Sequence, residues 1–133
     1  KEFFFNPTKD SKYFQYNFHF INDGSYQIVE LKGGIFYENK KQECYKKMLS
    51  VSKDIEESIK YISKDTYTFK HTADKTGKSI VKRIALIVNG GQINISCFSW
   101  GKEIKEERPW RDTLQVSIAT DEYMDWIRNE AYN

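Results

Sequence analysis

The sequence predicts an α+β domain: an antiparallel sheet of five or six strands, one long helix packed on a face, and a short C-terminal helix. Three observations carry this expectation. Apolar and polar residues alternate over several short runs, the mark of half-buried strands. Asp23-Gly24 and Asn89-Gly90, dipeptides favoured in tight hairpin turns, each separate two such runs. Between the hairpins, residues 39 to 62 switch to a helical period. A chain of 133 residues suits a single globular domain over 1–133, with length enough to bury a core.

The elements follow in order. Residues 13 to 21 alternate Phe14, Tyr16, Phe18 and Phe20 against Gln15, Asn17 and His19, which predicts a strand with an aromatic face. Asp23-Gly24 turns it into a second strand, S25-Y-Q-I-V-E-L-K32, which Gly33-Gly34 interrupts before Ile35 to Tyr37. Asn39, with Gln42 three residues on, reads as a capping-box variant opening the helix. Cys44, Met48, Val51, Ile55, Ile59 and Ile62 then recur every three or four residues as one apolar stripe, with Lys46, Lys47, Lys53, Glu56, Glu57 and Lys60 on the wet side. Tyr67 and Phe69 mark a short strand, and residues 79 to 88 are apolar enough for a central one. Asn89-Gly90 returns the chain through residues 92 to 99, with Ile93, Ile95 and Cys97 on the inner face. Residues 100 to 112 lack a period and hold a Gly and a Pro, so a long connection with at most a helical turn is expected. Residues 113 to 119 alternate as a last strand. Thr120 then caps a final helix whose Asp121 and Glu122 suit the positive end of its dipole.

Apolar residues make up 39% and charged residues 30% of the chain, which excludes the disordered and transmembrane classes. No apolar run approaches the roughly 18 residues of a membrane span. The net charge of +2 lacks the basic clustering that a nucleic-acid partner would favour. Nine Tyr, nine Phe and three Trp are an unusual aromatic load, serving either a core or an interface. The chain opens on Lys1 without an initiator Met, consistent with a cleaved secretory signal or with trimming.

Cys44 lies on the helix stripe and Cys97 on an inner strand face, so a sheet covered by that helix would bring the two sulfurs together. A disulfide is expected, against the alternative of two separate buried thiols acting as small hydrophobes. Closing that loop would contribute about 4 kcal/mol in the chain-entropy model. Disulfides persist in oxidising compartments, so the bond would place the chain in the periplasm or outside the cell.

Little points to catalysis. His19 and His71 read as solvated histidines, and His19 has no acid at matching spacing. Buried cysteines disfavour the thiolate that cysteine catalysis needs. The acids fall in mixed charged runs, Asp54, Glu56, Glu57 and Glu103, Glu106, Glu107, unlike a carboxylate pair poised in an apolar pocket. Gly33-Gly34 and Gly90-Gly91 continue into no phosphate loop. Two Cys and two His far apart make no zinc site, and no cofactor is expected. The candidate binding residues are Trp100, Arg108, Trp110 and Arg111: Trp and Arg dominate interface energetics, and a loop on a rigid sheet is the usual place to present them. The competing reading folds Trp100 and Trp110 back as a lid on an open end of the core.

With its short chain, the pair Cys44 and Cys97, hairpins at Asp23-Gly24 and Asn89-Gly90 and a covering helix over 39–62, the sequence resembles the periplasmic bacteriocin immunity proteins. That resemblance implies a non-catalytic inhibitor that neutralises a cell-wall-attacking bacteriocin or effector by stoichiometric binding, with a toxin or secreted enzyme as its protein partner. Two alternatives stand beside it: a secreted effector or surface domain that binds a host protein or glycan, and a small hydrolase with an unrecognised site.

Overall fold

A computed structural model of the chain describes residues 2–5 and 15–131. Its strands are β1 (Glu2–Phe5), β2 (Gln15–Phe20), β3 (Ile28–Phe36), β4 (Ser63–Lys70), β5 (Ile80–Val88), β6 (Gly91–Ser99) and β7 (Thr113–Thr120). Its helices are α1 (Lys41–Ser58), α2 (Lys102–Glu107) and α3 (Asp121–Asn129). The class is α+β, as the alternating runs require. Among the described residues the sheet is antiparallel throughout, in the order β1-β2-β3-β7-β6-β5-β4. It reaches seven strands because Glu2–Phe5 adds an edge that the sequence did not announce.

Topology follows from two meanders. The first runs β1-β2-β3; α1 then carries the chain across the sheet to the far edge at β4, and the second meander returns through β5 and β6 to set β7 beside β3. The hairpin at Asn89-Gly90 forms with Val88 opposite Gly91, and Gly90 alone of the two takes positive φ (79°). Gly91 is needed for another reason: a Cβ there would lie 2.4 Å from the carbonyl oxygen of Ala119 on β7. At Asp23-Gly24 the expected two-residue turn is wider. Ile21 N–H donates to the Gln27 carbonyl, and positive φ falls on Gly24 and Tyr26. The Asp23 carboxylate holds this loop by accepting from the Ser25 N–H and hydroxyl.

The long helix is shorter than the stripe implied, at 41–58 rather than 39–62. Asn39 does not cap it. Its backbone turns into the left-handed region (φ 56°), and its N–H reaches across to the Asp112 carboxylate. At the other end Ile59 is extended, and the Ile62 N–H already donates to the Ile87 carbonyl. The stripe ran on because Ile59 and Ile62, which lead into β4, happen to keep the helical period. On α1 the sequence-predicted Cys44 and Met48 are buried, and they pack with Ile84, Leu86, Ile93, Ile95, Cys97 and Leu114. Cys44 and Cys97 are joined by a disulfide with their Cα atoms 6.1 Å apart. The bond pins α1 over β6.

At the C-terminal end the Thr120 hydroxyl accepts from the Tyr123 N–H, the cap expected there. α3 lies on the sheet at β3, β7 and β6. Every residue of β6 from Gly91 to Cys97 is buried, so this interior strand is covered on both faces. No helix of the described residues is long and apolar enough to cross a membrane.

Candidate functional site

Cross-strand register sorts the sheet into two unlike faces, since residues directly opposite in antiparallel strands share a face. The face under α1 is apolar. One line across it reads Leu86, Ile93, Ile118, Leu31, Phe18, and the next reads Ile84, Ile95, Val116, Gly33, Tyr16. The opposite face is polar. There Asn94 on β6 stands opposite Ser117 on β7, which is opposite Lys32 on β3 and then Asn17 on β2. Asn17, Gln92, Asn94, Ser96 and Ser117 are all buried. Part of this polarity is satisfied internally: the Gln92 amide donates to Asn94 Oδ1 at 2.5 Å, and Arg83 Nε donates to Ser96 Oγ at 2.8 Å.

The polar face has an aromatic cluster at one end. Trp100 and Trp110 pack with ring centroids 4.6 Å apart; His71 lies 4.8 Å from the Trp100 ring, and Phe98 stacks on it at 5.7 Å. Arg108 places its guanidinium 4.8 Å from the centre of the Trp110 ring. Three of the four sequence-predicted binding residues, Trp100, Arg108 and Trp110, are thus brought together. Arg111 points elsewhere. It pairs with Glu38 at 3.3 Å and sits over the Phe36 ring at 4.2 Å.

A half-buried polar knot fixes this loop to the segment just before α1. Lys105 on α2 reaches Glu38 and Asp112, both at 2.9 Å, and Asp112 also accepts from the Trp100 N–H at 2.8 Å. Burial works against the Lys105 charge, but the hydrogen bonds to Glu38 and Asp112 outweigh it and raise its pKa. Beside the cluster, Asp74 accepts from the Ser79 hydroxyl and N–H and from the Thr76 hydroxyl and N–H. Those bonds favour the carboxylate and hold its pKa far below the usual range. The His71 pKa is lowered as well, here in favour of the neutral form: burial, then the nearby Arg83 charge, disfavours the imidazolium.

His19 is not the isolated imidazole the sequence implied. The β2–β3 register sets Glu30 directly opposite, with Nδ1 of His19 2.6 Å from Glu30 Oε2 and 3.2 Å from the Tyr123 hydroxyl. Only strand pairing could reveal this, since the partner lies eleven residues away across a turn. Among the described residues no group of three or more His, Cys, Asp or Glu is placed to hold a metal ion.

What the sequence reading missed is on the apolar face. Among the described residues α1 lies over β6 and reaches only to β7, and it leaves apolar side chains of β7 and β3 exposed beside it. Ile118 and Leu31, paired across β7 and β3, are 52% and 48% exposed, and Ile28 beyond them is 56% exposed. Beside α1 an open groove of about 450 Å³ runs over Ile93, Val116, Ile118 and Ile35. A usable signal was present: six strands alternating apolar with polar make more apolar sheet than one helix can cover. Compared with known protein families, characterised proteins and solved structures, the chain matches none.

Proposed function

We propose that this chain is a non-catalytic binding protein of the periplasm or extracellular space, and that it neutralises a cell-wall-attacking bacteriocin or effector by stoichiometric capture. The observation that carries the binding role is the bare apolar face, where three neighbouring aliphatic side chains, Ile28, Leu31 and Ile118, stand about half exposed on a rigid sheet. Contiguous exposed apolar surface of this kind marks sites where another molecule docks. The Cys44–Cys97 disulfide supports an oxidising compartment, since such bonds do not persist in the cytosol. The toxin as partner rests on the resemblance to periplasmic immunity proteins.

A second reading, glycan binding, is favoured by one specific observation. The part-exposed rings of Trp100 and Trp110, with the exposed Arg108 guanidinium over Trp110, form an aromatic platform of the kind that stacks on sugar faces.

The test is protection. The chain is exported to the periplasm of a sensitive strain, which is challenged with purified cell-wall-attacking bacteriocins, starting with any encoded beside the gene. The expected result is survival together with a one-to-one complex of chain and toxin in size-exclusion light scattering. Protection without a complex, or a cytoplasmic form that protects equally well, would refute the proposal. Binding of chito- or muro-oligosaccharides with no toxin complex would favour the second reading.

A further inference from the structure

Among the described residues the sheet ends on an open strand. β4 is last in the strand order, and all of its eight residues but Phe69 are exposed. It holds no proline, and its ladder to β5 runs from Ser63 to Lys70 without a shift in register. Sheet edges are usually blunted by prolines, bulges or very short strands. This one is long and regular. The direction of its outer backbone groups is set by pairing. The His71 N–H donates to the Ser79 carbonyl, one step past the Lys70–Ile80 pair. Ladder bonds alternate along an antiparallel strand, so Asp65, Tyr67 and Phe69 also turn their N–H and C=O groups to β5. Lys64, Thr66, Thr68 and Lys70 turn theirs outward. Of these four N–H groups, one has a partner among the described residues: the Thr66 N–H donates to Asp65 Oδ1 at 2.8 Å.

Side chains along this edge sort into two unlike rows. Thr68 stands opposite Lys82, Lys82 stands opposite Cys97, and Cys97 is bonded to α1. The row Lys64, Thr66, Thr68 and Lys70 therefore lies on the α1 face. Lys82 reaches over the Tyr45 ring at 4.5 Å, and Lys41 approaches the same ring at 5.7 Å. Lys64 pairs with Glu56 at 2.6 Å. Lys41, Lys70 and Lys82 enter no ion pair among the described residues. On the opposite face Tyr67 and Phe69 pack with ring centroids 5.8 Å apart, and Arg83 lies over Phe69 at 5.1 Å. The edge thus has a cationic side and an aromatic side.

We propose that β4 captures an extended acidic segment of the protein partner, which joins the sheet as an added edge strand. The outward N–H and C=O groups of Lys64, Thr68 and Lys70 supply the ladder, and alternate side chains supply specificity. Acidic positions of the segment face Lys64, Lys70 and Lys82, and the apolar positions between them lie against Tyr67 and Phe69. The proposal rests on the binding-protein reading for the existence of a partner and adds where that partner docks and what it inserts. A second copy of this chain is opposed by charge. The antiparallel register that overlaps the whole strand sets Lys64 opposite Lys70 twice, and it lays the two lysine-bearing faces side by side. The lysines that keep two copies apart are those that admit an acidic strand.

The experiment uses the whole chain and dye-labelled synthetic peptides, about ten residues long to span the strand, that alternate valine with glutamate or valine with lysine. Binding is read by fluorescence anisotropy, and amide hydrogen exchange by NMR reports which N–H groups become protected. The glutamate peptide should bind about threefold or more tighter than the lysine peptide, and the preference should fade at high salt. Exchange at Thr68 and Lys70 should slow on binding. N-methylation of alternate peptide residues should abolish binding for the set that faces β4 and spare it for the other set. Thr68→Pro removes an outward N–H and no bond to β5, so the variant should fold and bind about tenfold or more weaker. Circular dichroism and thermal melts check its folding, and the N-methylated peptides test the ladder on the parent chain itself.

No peptide binding, equal affinity for the glutamate and lysine peptides, or N-methylation that acts alike in both sets would overturn the proposal. So would a concentration-dependent dimer abolished by Thr68→Pro, which would assign the edge to a second copy. The two readings fail separately. Undiminished toxin capture by Thr68→Pro would sink the docking edge and leave the function, whereas absence of protection by the parent chain would sink the function and leave the peptide results standing.

Discussion

Replacing Cys44 and Cys97 together by Ala should remove a large share of the folding free energy. The two residues are 53 positions apart, and closing a loop of that length restricts the unfolded chain by about 4 kcal/mol in the chain-entropy model. Both sites are buried in the main core cluster, so deleting two sulfurs also loses packing, on the order of 1 kcal/mol more. Domains of this size are stable by about 5–15 kcal/mol, so the variant approaches the margin. At about 3 °C per kcal/mol, the expected fall in Tm is on the order of 15 °C. Urea unfolding of the oxidised parent, the reduced parent and the double variant measures this directly. The two forms lacking the bond should also show a steeper denaturant dependence, because an uncrosslinked chain exposes more surface on unfolding. A double variant within about 1 kcal/mol of the oxidised parent would refute the entropic argument. Two titratable thiols in the unfolded, unreduced parent would remove the bond itself, and with it the support for an oxidising compartment.

Two further outcomes are expected. Trp110→Ala should lower stability by about 2 kcal/mol, because its ring packs on Trp100 and under Arg108, whereas Arg108→Ala at an exposed position should change stability by less than about 0.5 kcal/mol. Equal stability of Trp110→Ala and the parent in thermal melts would mean that the ring is presented to a partner and does not serve as a lid. Asp74, whose folded pKa lies below its unfolded value of roughly 4, contributes stability that is fully present above that value and is lost as pH falls below it. Chemical denaturation across pH 2.5 to 7 should therefore show a shallower acid limb for Asp74→Asn than for the parent; parallel curves would mean that the Ser79 and Thr76 bonds do not hold the carboxylate.

The sequence revealed what depends on local period and on turn chemistry. The hairpin at Asn89-Gly90, the Thr120 cap and the apolar stripe through Cys44 and Met48 are each set by residues within a few positions of one another. Even the disulfide was legible, because both cysteines fall on inward positions of two elements that must pack. What stayed hidden depends on pairing between distant strands. Glu30 meets His19 only through the β2–β3 register, and Asp112 meets Lys105, Asn39 and Trp100 only once β7 has returned beside β3. The end of α1 was misjudged for a related reason. Ile59 continues the helical period, but it serves the groove and the approach to β4, and periodicity alone cannot tell a helix face from a strand that happens to follow it.

The candidate site shows the same division. Trp100, Arg108 and Trp110 were legible as chemistry, since their residue types stand out in a loop, and the structure gathers those three into a cluster. Arg111, identical in type and adjacent in sequence, is drawn off by Glu38 and Phe36. Composition therefore nominates residues for a surface, while register and ion pairing decide which of them share it. The apolar face makes the converse point. None of Ile28, Leu31 and Ile118 is unusual in type, and each would pass for core by its place in an alternating strand. They become a surface only because one helix of 18 residues is asked to cover a sheet seven strands wide, and runs out of width over β7. An exposed apolar face of this kind is a property of the mismatch between layers. It is found by comparing how much apolar sheet the strands make with how much the helices can hide, and no scan for special residues will register it.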